Sequence, residues 1–226
     1  MRSIKTFAVA AFLAISVTAA ASGQSRRPFR DSWFWGVRSG VLTYSGSNTF
    51  DPTQPGVSSL APLVGADWMI TRTHGGLYVS FAQAFFSTTG AVLNGPTSAD
   101  SGYRSVQVDG LRRIDIVAMT FPGDFTRLHP YIGFGASFRY LANASALGPF
   151  TTTKQIDYAT AAINDVKSSL GPAFIAGAQY RIKGISVFGQ GAVTVMAKDF
   201  LLANGHTGSL SAEFGIRYNM GSSIDH

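Results

Sequence analysis

Leu210-Ser-Ala-Glu-Phe-Gly-Ile-Arg-Tyr-Asn-Met220 alternates between two kinds of side chain. Leu210, Ala212, Phe214, Ile216, Tyr218 and Met220 form one set; Ser211, Glu213, Gly215, Arg217 and Asn219 form the other. Successive strand residues point to opposite faces. This stretch therefore makes a ribbon with one oily face and one face carrying a carboxylate and a guanidinium. A sheet closed into a barrel in lipid, polar face inward, satisfies both faces at once.

The same alternation recurs upstream. Eight stretches read as strands: about 32–45, 61–73, 76–88, 104–121, 129–142, 169–182, 185–198 and 207–220. Most exceed the usual soluble strand of about five or six residues, and they suffice to cross a bilayer at a tilt, which takes roughly nine to eleven. Ile114, Ile116 and Ala118 oppose Arg113, Asp115 and Val117; Phe134, Ala136 and Phe138 oppose Gly135, Ser137 and Arg139. Two strands break the pattern. Gln83 falls in register with Leu77, Val79 and Phe81 unless a bulge shifts it, and Ser39 falls among Trp35, Val37 and Val41.

Connections alternate in length. Short ones lie at His74–Gly75, Pro122–Leu128 and Lys183–Gly184; long ones at Gly46–Leu60, Thr89–Tyr103, Asn143–Ser168 and Asp199–His206. An even-stranded barrel with both ends on the inner side of an outer membrane predicts this order. In the third long connection, Ile156, Ala159, Ile163 and Val166 share one helical face. A short helix at the barrel mouth and an irregular loop both fit that stretch.

Residues 1–23 read as a secretory signal: Arg2 and Lys5, the apolar run Phe7–Val17, then small residues. That run would rise only about 16 Å as a helix, short of a hydrocarbon core of roughly 30 Å. Cleavage after Ala21 or after Gly23 fits equally. Residues 24–31 form a polar leader, read as a short flexible segment; 32–220 form the barrel and 221–226 a tail. Removing the signal lowers the net charge from +6 to about +4, spread along the strands, so no nucleic-acid surface is expected. Cysteine is absent, which excludes disulfides, thiolate metal sites and cysteine nucleophiles.

The chain resembles the OmpA-type family of small eight-stranded outer-membrane barrels. The resemblance is carried by Tyr131-Ile-Gly-Phe-Gly135, Gln179-Tyr-Arg181 and Glu213-Phe-Gly-Ile-Arg217 in that order. It implies an all-β, up-and-down transmembrane barrel in the outer membrane, with lipid and the barrel assembly machinery as partners. Many members end on a terminal aromatic residue that aids assembly. Here the chain runs past Tyr218 through Met-Gly-Ser-Ser-Ile-Asp-His.

The positions assigned to the lumen hold Arg38, Arg113, Arg139, Arg181 and Arg217, with Asp67, Asp115 and Glu213, and Gln179 and Gln190 as neutral partners. Buried charge persists only when paired and hydrogen-bonded, and a narrow barrel needs side chains to fill it. A salt-bridged polar plug is the expectation; a narrow ion path and an anion held by an unpaired arginine are the alternatives. His74, His129, His206 and His226 lack metal-ligand spacing and read as solvent-facing. His206, Ser209 and Glu213 supply the residue types of a hydrolytic triad, but His206 and Ser209 would face opposite sides of one strand. Trp33, Trp35, Phe121 and Tyr218 are expected at the inner lipid interface; Tyr44, Phe85, Phe86, Tyr103 and Tyr140 at the outer one. The reading is a non-enzymatic barrel without cofactor or metal, serving structural anchoring or surface interaction, with its outer loops as the contact sites for any extracellular ligand or partner. The rivals are a lipid-modifying or proteolytic enzyme and a soluble periplasmic barrel that binds lipid inside.

Overall fold

The computed structural model describes residues 29–46, 57–73, 75–93, 103–123, 127–203 and 208–224. The elements are β1 (Ser32–Gly46), β2 (Val57–Thr71), β3 (Gly75–Ala84), β4 (Thr88–Leu93), β5 (Tyr103–Val108), β6 (Leu111–Thr120), β7 (Leu128–Leu141), β8 (Ser145–Ala146), α1 (Thr153–Val166), β9 (Ser168–Ile182), β10 (Ile185–Val195) and β11 (Gly208–Ser222). Eight strands close a barrel in the order β1-β11-β10-β9-β7-β6-β3-β2. Closure joins the first strand to the last, antiparallel, with Val37 opposite Ile216 and Gly40 opposite Glu213. The barrel sheet keeps no open edge, which is the condition lipid imposes.

The faces sort as chemistry requires. Along β6, Leu111, Arg113, Asp115, Val117 and Met119 are buried, while Ile114 and Ile116 point outward. Phe214 is 64% exposed and its neighbour Glu213 only 3%. The exterior also carries Trp35, Phe81, Phe134 and Phe174. An oily surface on this scale, wrapped around a charged interior, fits hydrocarbon and reverses the arrangement of a soluble lipid-binding barrel.

Both irregular strands are explained locally. Gln83 does point outward, and pairing with both neighbouring strands continues through it without a bulge. Its amide accepts from Arg112 Nε at 3.2 Å, a polar pair outside the wall. The hydroxyl of Ser39 donates to the Leu63 carbonyl at 3.2 Å, which hides its polarity from the lipid face.

The stretch expected as one strand over 104–121 is two. β5 ends at Val108, and β6 begins at Leu111. Between them Gly110 has φ +106°, and a Cβ there would lie 2.7 Å from the Ala84 carbonyl oxygen. β5 instead joins β4 and β8 in a separate three-stranded sheet beyond the barrel rim.

The third long connection contains a helix. Thr152 caps α1 by accepting from Gln155 N, and Thr151 Oγ1 bonds the Gln155 side chain at 2.7 Å, close to a capping box. Ala159 and Ile163 are buried and Val166 packs partly against the same cluster, whereas Ile156 is exposed.

Candidate functional site

Side chains of the described residues occupy the lumen in three tiers. At the short-turn end, Phe34, Met69, Tyr78, Val117, Met119 and Tyr131 form an apolar and aromatic cluster. Phe29 belongs to it: its ring stacks on His129 at 3.9 Å and meets Phe121 edge-on at 5.0 Å. The leader read as polar and flexible thus ends in a buried aromatic. His129, expected to face solvent, is 8% exposed for the same reason. Phe121, expected at the inner lipid interface, packs here too.

The middle tier is charged. Glu213 on β11 accepts from Arg38 on β1 at 2.7 Å, from Gln190 on β10 at 3.1 Å and from Ser211 at 2.8 Å, and it also pairs with Arg113 on β6. Asp115 accepts from Arg113 at 3.0 Å, from Ser80 at 2.9 Å and from Ser137 at 2.7 Å, and lies 3.5 Å from Arg38. One connected network therefore ties four quarters of the wall together. Nearer the short turns, Arg217 donates to Asp67 at 2.8 Å and to Gln179 at 2.9 Å, and its guanidinium lies 3.7 Å from the centre of the Phe188 ring. Strands β1, β6, β10 and β11 can aim these groups inward only because their alternation stays in phase across paired registers.

Of the ten residues assigned to the lumen, nine are buried there: Arg38, Asp67, Arg113, Asp115, Arg139, Gln179, Gln190, Glu213 and Arg217. Arg181 is only half-buried, at the short-turn end, where its backbone amide donates to the Arg127 carbonyl. Arg139 is buried, yet makes none of the ion pairs of the network. Ser137 and Ser211 stood on the polar face in the sequence pattern; the partners that sequence reasoning missed are Tyr78, Tyr131 and Ser80. Each lies at an inward position of its strand, so the period-two rule could have found them.

The outer tier is apolar. Leu42, Leu63, Leu111 and Leu141 from the barrel meet Val106 and Val108 of β5, Ile163 of α1, and Met196, Phe200 and Leu202. The outer sheet and helix thus form one packed platform over the barrel mouth. On its surface a cavity of about 510 Å3 opens between α1 and the end of β7, lined by Tyr140, Asn143, Phe150, Thr160, Asn164 and Lys167 among others. A larger furrow, about 940 Å3, is lined mostly by outward residues such as Leu60, Phe134, Phe174 and Leu210, with small Ala176, Gly191 and Ala212 between them. It faces the hydrocarbon and holds no chemistry.

No protein-family model matches this chain, and no curated protein matches it. Among solved structures it is similar to Neisserial surface protein A (NspA), with a TM-score of 0.53, 13% identity, and coverage of 83% of this chain and 97% of that one. Lower similarity is found to Ail, the attachment invasion locus protein of Yersinia pestis (TM-score 0.47, 10% identity, 85% of this chain and 100% of that one). OprG from Pseudomonas aeruginosa follows, at TM-score 0.46 and 11% identity, covering 85% of this chain and 98% of that one. The fold is that of the small eight-stranded outer-membrane barrels.

Two of the triad-type residues fall among the described residues, and both have partners within the barrel. Ser209 Oγ donates to the Thr43 carbonyl at 2.7 Å, and Glu213 is held by two guanidinium groups. His206 lies outside the described residues, as do His74 and His226. Trp35 and Phe85 are exposed at positions suited to interfacial girdles, whereas Tyr44 and Phe86 stack on each other at 4.1 Å and belong to the outer cluster.

Proposed function

We propose that this chain is an integral outer-membrane barrel of the OmpA type that performs no reaction and holds a structured platform at the cell surface for contact with an extracellular partner. The single observation carrying this reading is the continuous filling of the lumen. Among the described residues, aromatic cluster, ion-pair network and apolar cap stack across the lumen, so what the barrel offers its surroundings is its outer face. Rigid scaffolds of this kind place recognition on their loops, and here α1 and the β4-β5-β8 sheet give those loops a packed core of their own. Lipid and the assembly machinery are the further partners this reading requires, and a cleaved signal delivers the chain to them.

The refolded protein in planar bilayers tests it. A sealed, heat-modifiable barrel with no steady conductance is the expected result. Open-channel currents, or turnover of lipid A or peptide lost in His206→Ala, would replace this reading with a pore or an enzyme.

A further inference from the structure

The buried charges of the lumen do not balance. Among the described residues, Arg38, Arg113, Arg139 and Arg217 face three carboxylates, Asp67, Asp115 and Glu213. Each carboxylate is engaged: Asp67 by Arg217, Asp115 by Arg113, Glu213 by Arg38 and Arg113. Arg139 is the cation left over. It is 2% exposed, its Nε has no partner, and among the described residues it forms no ion pair with the three lumen carboxylates. Its register neighbour on one side is Arg113, itself cationic. On the other side is Ser169, whose Oγ accepts from Ala197 N at 2.9 Å and leaves its own hydroxyl hydrogen uncommitted.

Water can satisfy the hydrogen bonds of such a group but not its charge, and guanidinium does not shed a proton to escape burial. An isolated charge in a low-dielectric interior is among the costliest arrangements a protein can hold. The counter-charge is therefore expected from outside the chain. The excess is one, which calls for a monovalent anion. The site lies one inward position below Leu111 and Leu141 of the apolar cap, so the guest must be compact rather than the head of a larger molecule.

We propose that the lumen holds one small monovalent anion of the halide class at Arg139, with the Ser169 hydroxyl as a second donor. The anion completes the ion-pair network and sits beneath the cap, so it exchanges slowly. It extends the role of the lumen from a self-sufficient plug to one that needs a cofactor-like ion. It does not depend on what the outer platform contacts.

The unfolding temperature of the refolded protein in detergent, followed as chloride replaces gluconate at constant ionic strength, tests this. A saturable rise is expected, reproduced by bromide, reduced in Ser169→Ala and absent in Arg139→Gln. In gluconate alone, Arg139→Gln should be at least as stable as the native chain, because an uncompensated charge has been removed. An unfolding temperature indifferent to chloride, or an undiminished rise in Arg139→Gln, overturns the proposal. Should that variant fail to fold, crystals of the native chain soaked in bromide decide. An anomalous peak within hydrogen-bonding distance of the Arg139 guanidinium supports the site, and its absence there overturns it.

Discussion

Arg217 on the last strand reaches Asp67 on the second at 2.8 Å, passing over Gly36 of the strand between them. Gly36 is the register partner of both residues. A Cβ at that position would stand 2.7 Å from Asp67 Oδ1 and 2.8 Å from Arg217 Cγ. The missing side chain is thus what lets an ion pair bridge the seam where the barrel closes. Loss of Asp67 in Asp67→Ala leaves a buried guanidinium without its carboxylate and should destabilise the barrel by about 3–5 kcal/mol. Gly36→Val should cost a comparable amount by separating the pair. Urea unfolding in lipid vesicles measures both. The double variant Asp67→Ala/Arg217→Met should lie closer to the native chain than Asp67→Ala alone.

The lipid-facing surface makes a depth-dependent prediction. Phe214 stands near the middle of β11 and is largely exposed. Phe214→Arg should therefore lose about 2–4 kcal/mol of folding free energy in vesicles, and Leu128→Arg, at the start of β7, about 1 kcal/mol or less. Equal losses at the two positions would mean that the outward band is not spanning hydrocarbon.

The outer platform should come loose without the barrel. Ile163 of α1 is 5% exposed and packs among Val106, Leu141 and Leu202. Ile163→Asp places an unpartnered carboxylate there, at a local cost of roughly 1–3 kcal/mol or more. Cleavage of the outer segments by added protease should speed up about tenfold, since such local opening draws on only part of the structure. Heat-modifiable migration on gels should persist, because no ion pair of the lumen involves α1.

The parts of this fold that were legible in the sequence are those governed by a single period. Leu210–Met220 needs only alternation and a bilayer to assign Glu213 and Arg217 inward, and the short and long connections needed only to be counted. What escaped depends on contacts between distant residues. The break at Asp109–Gly110 lies where Gly110 takes a positive φ close against the Ala84 carbonyl, a contact the strand pattern does not carry, so 104–121 read as one strand. Phe29 looked like part of a polar leader because its partners, His129 and Phe121, lie about a hundred residues away. Arg181 obeys the alternation but sits too near the short-turn end to be fully enclosed. Pairing within the lumen was not legible either: Arg38 and Arg139 look alike in a strand pattern, and only the closed barrel distinguishes the arginine with carboxylates around it from the one without.

Everything rests on which face of each strand meets lipid. Because the chain has no native cysteine, single cysteines can be placed at each position from Leu210 to Met220 and spin-labelled in vesicles. Collision with oxygen, which partitions into hydrocarbon, is then compared with collision with a water-soluble nickel complex. Oxygen accessibility should peak at 210, 212, 214 and 216 and fall at 211, 213, 215 and 217. A flat profile, or one with maxima at 213 and 217, would contradict the account.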